Sequence, residues 1–203
     1  MSEIPYRPIT DTWILARAKR AGGDYYYGRY PGGFLERARA LLGVSMADSV
    51  LHVCGGMVRR YPYRRGFGPN DKTLDLDPAL EPDFCQDARD PYPLQGSSSA
   101  YRVLNDGRKG WCWRAVLADP PYSQEDAEKY VPGPSVLPTP GVILKNALAV
   151  VRPGGRVGIL HYYAPQPPRG SNAVLVAMVS VVVGFNNHVR LFTVYENTEG
   201  TNG

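Results

Sequence analysis

Trp113-Arg114-Ala115-Val116-Leu117-Ala118-Asp119-Pro120-Pro121-Tyr122 is the most informative segment of the chain. Its apolar first half is short and ends at a proline, as a buried strand does. The Asp-Pro-Pro-Tyr that follows is a rigid corner. Two prolines fix the backbone, so the Asp119 carboxylate and the Pro120 carbonyl can face one donor with little entropy left to lose. Tyr122, held by Pro121, offers a flat ring suited to stacking on a planar base or amide. A chance match somewhere in a chain of this composition is on the order of one in a hundred. The plain alternative is a tight turn with a buried tyrosine.

Reading outward, Ser49 to Cys54 is a second buried strand, running into Gly55-Gly56. Shorter strands are expected at Thr73 to Leu76 and Phe84-Cys85. Phe34, Leu35, Ala38, Leu41 and Leu42 have helical spacing, and Gly43 supplies the stop. Trp13 to Ala18 reads as a possible short helix. A helix from about Val142 to Val151 leads through Arg152-Pro153-Gly154-Gly155 into a strand from Arg156 to His161. Val174 to Val183 can begin as helix but must become strand, and Asn186-Asn187 turns the chain into a last strand, Val189 to Tyr195. Strands alternating with helices and closing in a hairpin predict an α/β fold, with a mostly parallel sheet and an antiparallel C-terminal strand.

At 203 residues and 22.4 kDa the chain is long enough for one sizeable core, and no repeat or linker divides it. With 43% apolar and 21% charged residues it is ordinary globular material. The net charge of +4 conceals an asymmetry. Residues 1–65 carry eleven Lys/Arg against five Asp/Glu, residues 66–130 seven against twelve, and residues 131–203 five against two. Basic flanks around an acidic middle suit a protein that meets a polyanion while keeping carboxylates at a working site; an unevenly charged solvated surface is the plain alternative. Cys54, Cys85 and Cys112 show no ligand spacing, so neither a disulfide scaffold nor a structural metal is expected. No apolar leader or spanning segment is visible, and a soluble cytoplasmic protein without a membrane partner is expected.

In an open α/β sheet, ligands lie beyond the carboxyl ends of the strands. Besides Asp119, two such ends carry suitable groups. Cys54-Gly55-Gly56 lets a ligand approach bare backbone, and Asp75, followed by Leu76 and Asp77, can accept both hydroxyls of a ribose. An Asp in that place is also a common turn former. Arg59, Arg60, Arg64 and Arg65 interleave with Tyr61 and Tyr63, a pattern suited to phosphate contact and base stacking, or to a solvated loop. His52, His161 and His188 belong to no serine- or cysteine-centred motif and read as structural.

Together these segments, from about Tyr27 to Tyr195, resemble the DPPY-type amino-methyltransferases of class I, which use S-adenosylmethionine. The resemblance implies a single domain over 1–203, with a seven-stranded Rossmann-like sheet. Residues 1–45 would be an N-terminal cofactor-binding segment and 46–203 the catalytic sheet, with no separate target-recognition domain. It assigns cofactor contacts to Tyr30, Pro31 and Gly32, to Cys54, Gly55 and Gly56, to Asp75 and Leu76 for the ribose, to Asp87 and Ala88 for the adenine, and to Asp119. Asp119, Pro120, Pro121 and Tyr122 become the catalytic corner. Two departures stand out: His52 where the family often has an acid, and no visible crossover helix between Gly56 and Thr73.

The implied activity is N-methyl transfer to an exocyclic amino group, most simply N6 of adenine in DNA. RNA adenine, cytosine N4 and a protein glutamine amide present the same planar group, and the four-residue corner does not separate them. A catalytically inactive nucleic-acid-binding module is the reading from another class. Target selectivity would come from loops or a partner subunit.

Overall fold

The computed structural model describes residues 7–16, 30–60, 66–94, 101–103, 109–111, 113–130, 137–184 and 189–198. An eight-stranded mixed sheet organises them, in the order β1-β9-β10-β8-β7-β2-β3-β4. The strands are β1 (Ile9–Leu15), β2 (Val50–Val53), β3 (Lys72–Asp75), β4 (Phe84–Cys85), β7 (Trp113–Ala118), β8 (Val151–His161), β9 (Ala173–Val183) and β10 (Val189–Asn197). A separate two-stranded antiparallel ribbon, β5 (Tyr101–Val103) with β6 (Lys109–Trp111), lies between β4 and β7 in sequence and was not foreseen.

Strands β4, β3, β2, β7 and β8 run parallel, and β10 is antiparallel to both of its neighbours. The methyltransferase-like α/β sheet expected from the sequence is therefore present, with eight strands rather than seven. The added strand is β1, which pairs in parallel with β9 over Ile9 to Leu15. It corrects the expected helix at Trp13. Trp13 and Leu15 are buried while Ile14 between them is 78% exposed, the two-residue period of a strand. Trp13 lodges against Phe34 and Phe192, ring centroids 6.1 and 5.9 Å away. Val174 onward is strand throughout, because all of β9 except Val176, which is skipped at a register shift, faces a partner in β10 or β1.

Each face of the sheet has its own apolar core. One joins α1 (Phe34–Leu42) to the strands through Phe34, Leu35, Ala38, Leu42, Leu117, Val179 and Phe192. The other joins α3 (Pro140–Val150) through Ile143, Leu144, Ala147, Val116, Val157 and Ile159. Thr139 caps α3 by accepting from the Val142 amide, and Pro140 opens it, a start signal written in the sequence. The Arg152–Gly155 turn survives as a bulge in β8, where the register to β7 jumps between Trp113 and Ala115 and Gly154 takes φ 69°. Between β2 and β3 the described residues hold only a single 3-10 turn, Val58–Arg60, in agreement with the missing crossover helix. The Asn186-Asn187 turn lies outside the described residues, although the pairing of β9 with β10 is as expected. No helix among the described residues is long and apolar enough to cross a membrane.

Candidate active site

The parallel strands deliver their carboxyl ends to one rim, and the antiparallel β10 brings its first residues, Val189 and Arg190, to the same rim. At the β2 end, Cys54 and Gly56 both take left-handed backbone, with φ 53° and 54°, which folds the turn back on itself. The Cys54 amide donates to the Leu74 carbonyl at 2.9 Å and the Asp119 amide to the Val53 carbonyl at 3.2 Å, so the ends of β2, β3 and β7 are tied together.

Asp75 closes that turn. Its Oδ2 accepts from the Gly56 amide and its Oδ1 from the Asp77 amide, each at 3.2 Å. Burial nonetheless raises its carboxyl above the usual range. Asp87 sits beyond β4 and is gripped by its neighbour: Arg89 Nε lies 3.0 Å from each carboxylate oxygen and Nη2 is 2.6 Å from Oδ2. That pairing lowers the Asp87 carboxyl. Asn146 of α3 donates to the carbonyls of Arg89 and Asp90, both at 3.0 Å, and holds this segment against the sheet, with Ala88 buried beneath it.

The Cys54 thiol is pushed well up, first by burial and then by three surrounding carboxylates, Asp75, Asp119 and Asp87. Asp75 and Asp87 supply carboxylate acceptors beside one short turn, fitted to a ligand with ribose hydroxyls, a base amine and positive charge. A sulfonium cofactor has all of these. The residues present therefore fit S-adenosylmethionine. Asp75 and the Gly55-Gly56 backbone would hold its sugar, and Asp87, if released from Arg89, its base. Leu76, 41% exposed, adjoins Asp75.

The N-terminal contacts are placed differently. The Tyr30 ring is buried, stacked on Phe34 at 5.2 Å and 6.2 Å from His52, while the Gly32 amide donates to the Ala16 carbonyl at 3.0 Å. Tyr30, Pro31 and Gly32 thus dock the start of α1 onto β1 and β2. Arg59 forms an ion pair with Asp83, which Lys72 also reaches at 3.1 Å. The Arg60 side chain, Arg64 and Arg65 lie outside the described residues.

The other half of the rim is built on Asp119. Tyr122 turns back so that its hydroxyl donates to Asp119 Oδ1. Around its ring stand Tyr162 with centroids 4.7 Å away, His161 edge-on at 5.3 Å, and the Arg190 guanidinium 4.8 Å from the centroid. His161 is in turn edge-on to Tyr163 at 4.6 Å. Burial raises the Asp119 carboxyl to about 6, against the opposing pull of Arg190 and the Tyr122 hydroxyl. Burial also lowers His161 to about 4, so its imidazole is neutral. Among the described residues no group of His, Cys, Asp and Glu is arranged to hold a metal.

Of the sequence-predicted residues, the rim brings together Cys54, Gly55, Gly56, Asp75, Asp87, Asp119, Pro120 and Tyr122. It adds His161, Tyr162, Tyr163 and Arg190, which the sequence reading missed. Their signal was the abrupt polar and aromatic run His161-Tyr162-Tyr163 at the end of an apolar strand, where a ligand site is expected.

No protein-family profile matches the chain, and no curated protein matches it in sequence. Among solved structures, TrmN from Thermus thermophilus superposes with a TM-score of 0.54 at 18% identity, over 84% of this chain and 50% of that chain. The chain thus spans about half the length of that protein. An rRNA methylase from Streptococcus thermophilus gives 0.45 at 9% identity, over 81% of this chain and 97% of that one. N-methyltransferase NodS from Bradyrhizobium japonicum, in complex with S-adenosyl-L-homocysteine, gives 0.42 at 12% identity, over 82% and 89%. The likeness to TrmN, together with the strand order, shows the methyltransferase-like α/β fold.

Proposed function

We propose that this chain transfers the methyl group of S-adenosylmethionine to an exocyclic amino group, with adenine N6 in DNA as the acceptor. The observation that carries the reading is the corner Asp119-Pro120-Pro121-Tyr122 at the end of β7, tied by the Asp119 amide to the Val53 carbonyl beside the turn that Asp75 closes. The cofactor supplies an electrophilic methyl on a sulfonium. Everything else asked of the protein is positioning. An amine conjugated with its ring is a poor nucleophile, so rate depends on holding its two hydrogens and exposing its lone pair. The Asp119 carboxylate and the Pro120 carbonyl accept hydrogen bonds from those hydrogens; as the N–C bond forms and the S–C bond breaks, the sulfur leaves as a neutral thioether and one amine proton passes to solvent. The Tyr122 ring supports the plane of the base, which must leave its duplex stack to reach the rim.

The Tyr122 hydroxyl donates to Asp119, and the Arg190 guanidinium lies over the Tyr122 ring. The acceptor amine takes over the hydroxyl's place on Asp119. The basic flanks of the sequence favour nucleic acid over protein as the acceptor. Tritiated methyl transfer onto duplex DNA, single-stranded DNA, RNA and protein, followed by digestion to nucleosides or amino acids, tests the reading. N6-methyl-2′-deoxyadenosine from DNA is the expected product. Label only in RNA, cytosine or glutamine replaces the acceptor, and no label anywhere removes the activity.

A further inference from the structure

His161 has no role in the mechanism above, yet its surroundings call for one. It ends β8, the strand next to β7, and is 3% exposed. Neither ring nitrogen has a hydrogen-bond partner among the described residues, although both are buried. Leaving such groups unpaired costs their lost hydration, so a buried orphan imidazole is a poor choice for mere packing. The ring stands edge-on to Tyr122, whose hydroxyl rests on Asp119. Tyr162 and Tyr163, 44% and 51% exposed, pack against it from the solvent side.

A neutral imidazole has one N–H donor and one bare nitrogen. Adenine N6 and cytosine N4 each adjoin a hydrogen-free ring nitrogen, and a glutamine amide NH2 adjoins its carbonyl oxygen. Two acceptors for the amine plus one donor for that neighbouring atom complement this pair, and Asp119 with Pro120 provides only the acceptors. We propose that His161 is a specificity-determining residue, donating its ring N–H to the hydrogen-free atom beside the methylated amine once Tyr162 and Tyr163 admit the acceptor. The inference rests on the methyl-transfer reading and deepens it. A neutral donor suits this place better than a cation, because full positive charge there would draw the amine's lone pair into the ring and blunt it as a nucleophile. The contact exists in ground and transition states alike, so its loss raises KM more than it lowers kcat.

The test presents the target adenine, and 1-deazaadenine in its place, in single-stranded oligonucleotides, so that base pairing is not a variable. Both are run with wild type, His161→Phe and His161→Asn. Wild type is expected to prefer adenine by about 10- to 100-fold in kcat/KM, mostly through KM. His161→Phe should lose that preference, and His161→Asn, which keeps a neutral N–H, should retain part of it. Affinity for S-adenosyl-L-homocysteine should be equal in all three, which certifies the fold of the variants. Wild type without preference, or a His161→Phe variant with the preference intact, overturns the proposal while methyl transfer to adenine stands. No transfer to adenine at all overturns the function reading, and this assignment of adenine with it.

Discussion

Asp71 and Asp119 are two buried carboxylates at opposite ends of the same sheet, and they are treated in opposite ways. Asp71, before β3, is saturated. It accepts from Arg39 Nη1 at 2.7 Å, His52 Nε2 at 3.1 Å, the Gly68 amide at 2.7 Å and the Val50 amide at 3.1 Å. Asp119, after β7, has one direct side-chain donor among the described residues, the Tyr122 hydroxyl, and a carboxyl raised to about 6. A carboxylate that holds a fold together has its lone pairs filled by the protein. One that works on a substrate keeps them available, at the expense of its own ionisation.

The contrast breaks most visibly at Asp71. Asp71→Ala leaves Arg39 buried without its counter-ion, and should lower stability by about 3–5 kcal/mol in urea denaturation. A loss below about 1 kcal/mol would mean that the network is decorative. At the cofactor turn, Asp75→Ala should weaken S-adenosylmethionine by about 1.5–3 kcal/mol, read by calorimetry. Asp87→Ala should cost less, because binding there must first displace Arg89. Equal affinities for wild type and both variants would remove the cofactor assignment. Tyr122→Ala should lose a stacking contribution of about 1–3 kcal/mol in kcat/KM, while Tyr122→Phe, which keeps the ring, retains most activity. Equal loss in both would make the hydroxyl, not the ring, the working part.

The smallest effects concern protons. Asp119 must be ionised to accept, so kcat/KM should fall as pH drops through about 6. Arg190→Met removes a charge that favours ionisation and should move this acid limb upward; an unmoved limb would assign it to another group. Because folding raises the Asp119 carboxyl above its unfolded value, the native state binds the proton more readily. Its contribution to stability is therefore present at low pH and lost as pH rises through about 6. Asp119→Asn should flatten that dependence, measured by melting between pH 4 and 7.

What the sequence made legible was local. The corner at Asp119, the helices α1 and α3 and the strands β2 and β7 each announce themselves within a dozen residues, through prolines, glycine stops and apolar runs. Strand β1 did not, because Trp13, Ile14 and Leu15 are apolar in succession, and only docking on β9 reveals which of them face inward. The rim around Asp119 was half legible for the same reason. Asp119 and Tyr122 are neighbours in sequence, whereas His161 and Arg190 reach them only through the pairing of β7, β8 and β10. The Asp71 network was equally hidden, since Arg39, His52 and Asp71 come from three separate elements.

The most direct test of the account is one variant measured twice. Asp119→Ala should lower kcat for methyl transfer by about 100- to 1,000-fold, the usual effect of removing one pre-aimed electrostatic group. Its affinity for S-adenosylmethionine should stay within about twofold of wild type, since Asp75 and the Gly55-Gly56 turn are untouched. Turnover that survives the substitution, or turnover and cofactor affinity that collapse together, would contradict the assignment of Asp119 as the residue that holds the acceptor amine.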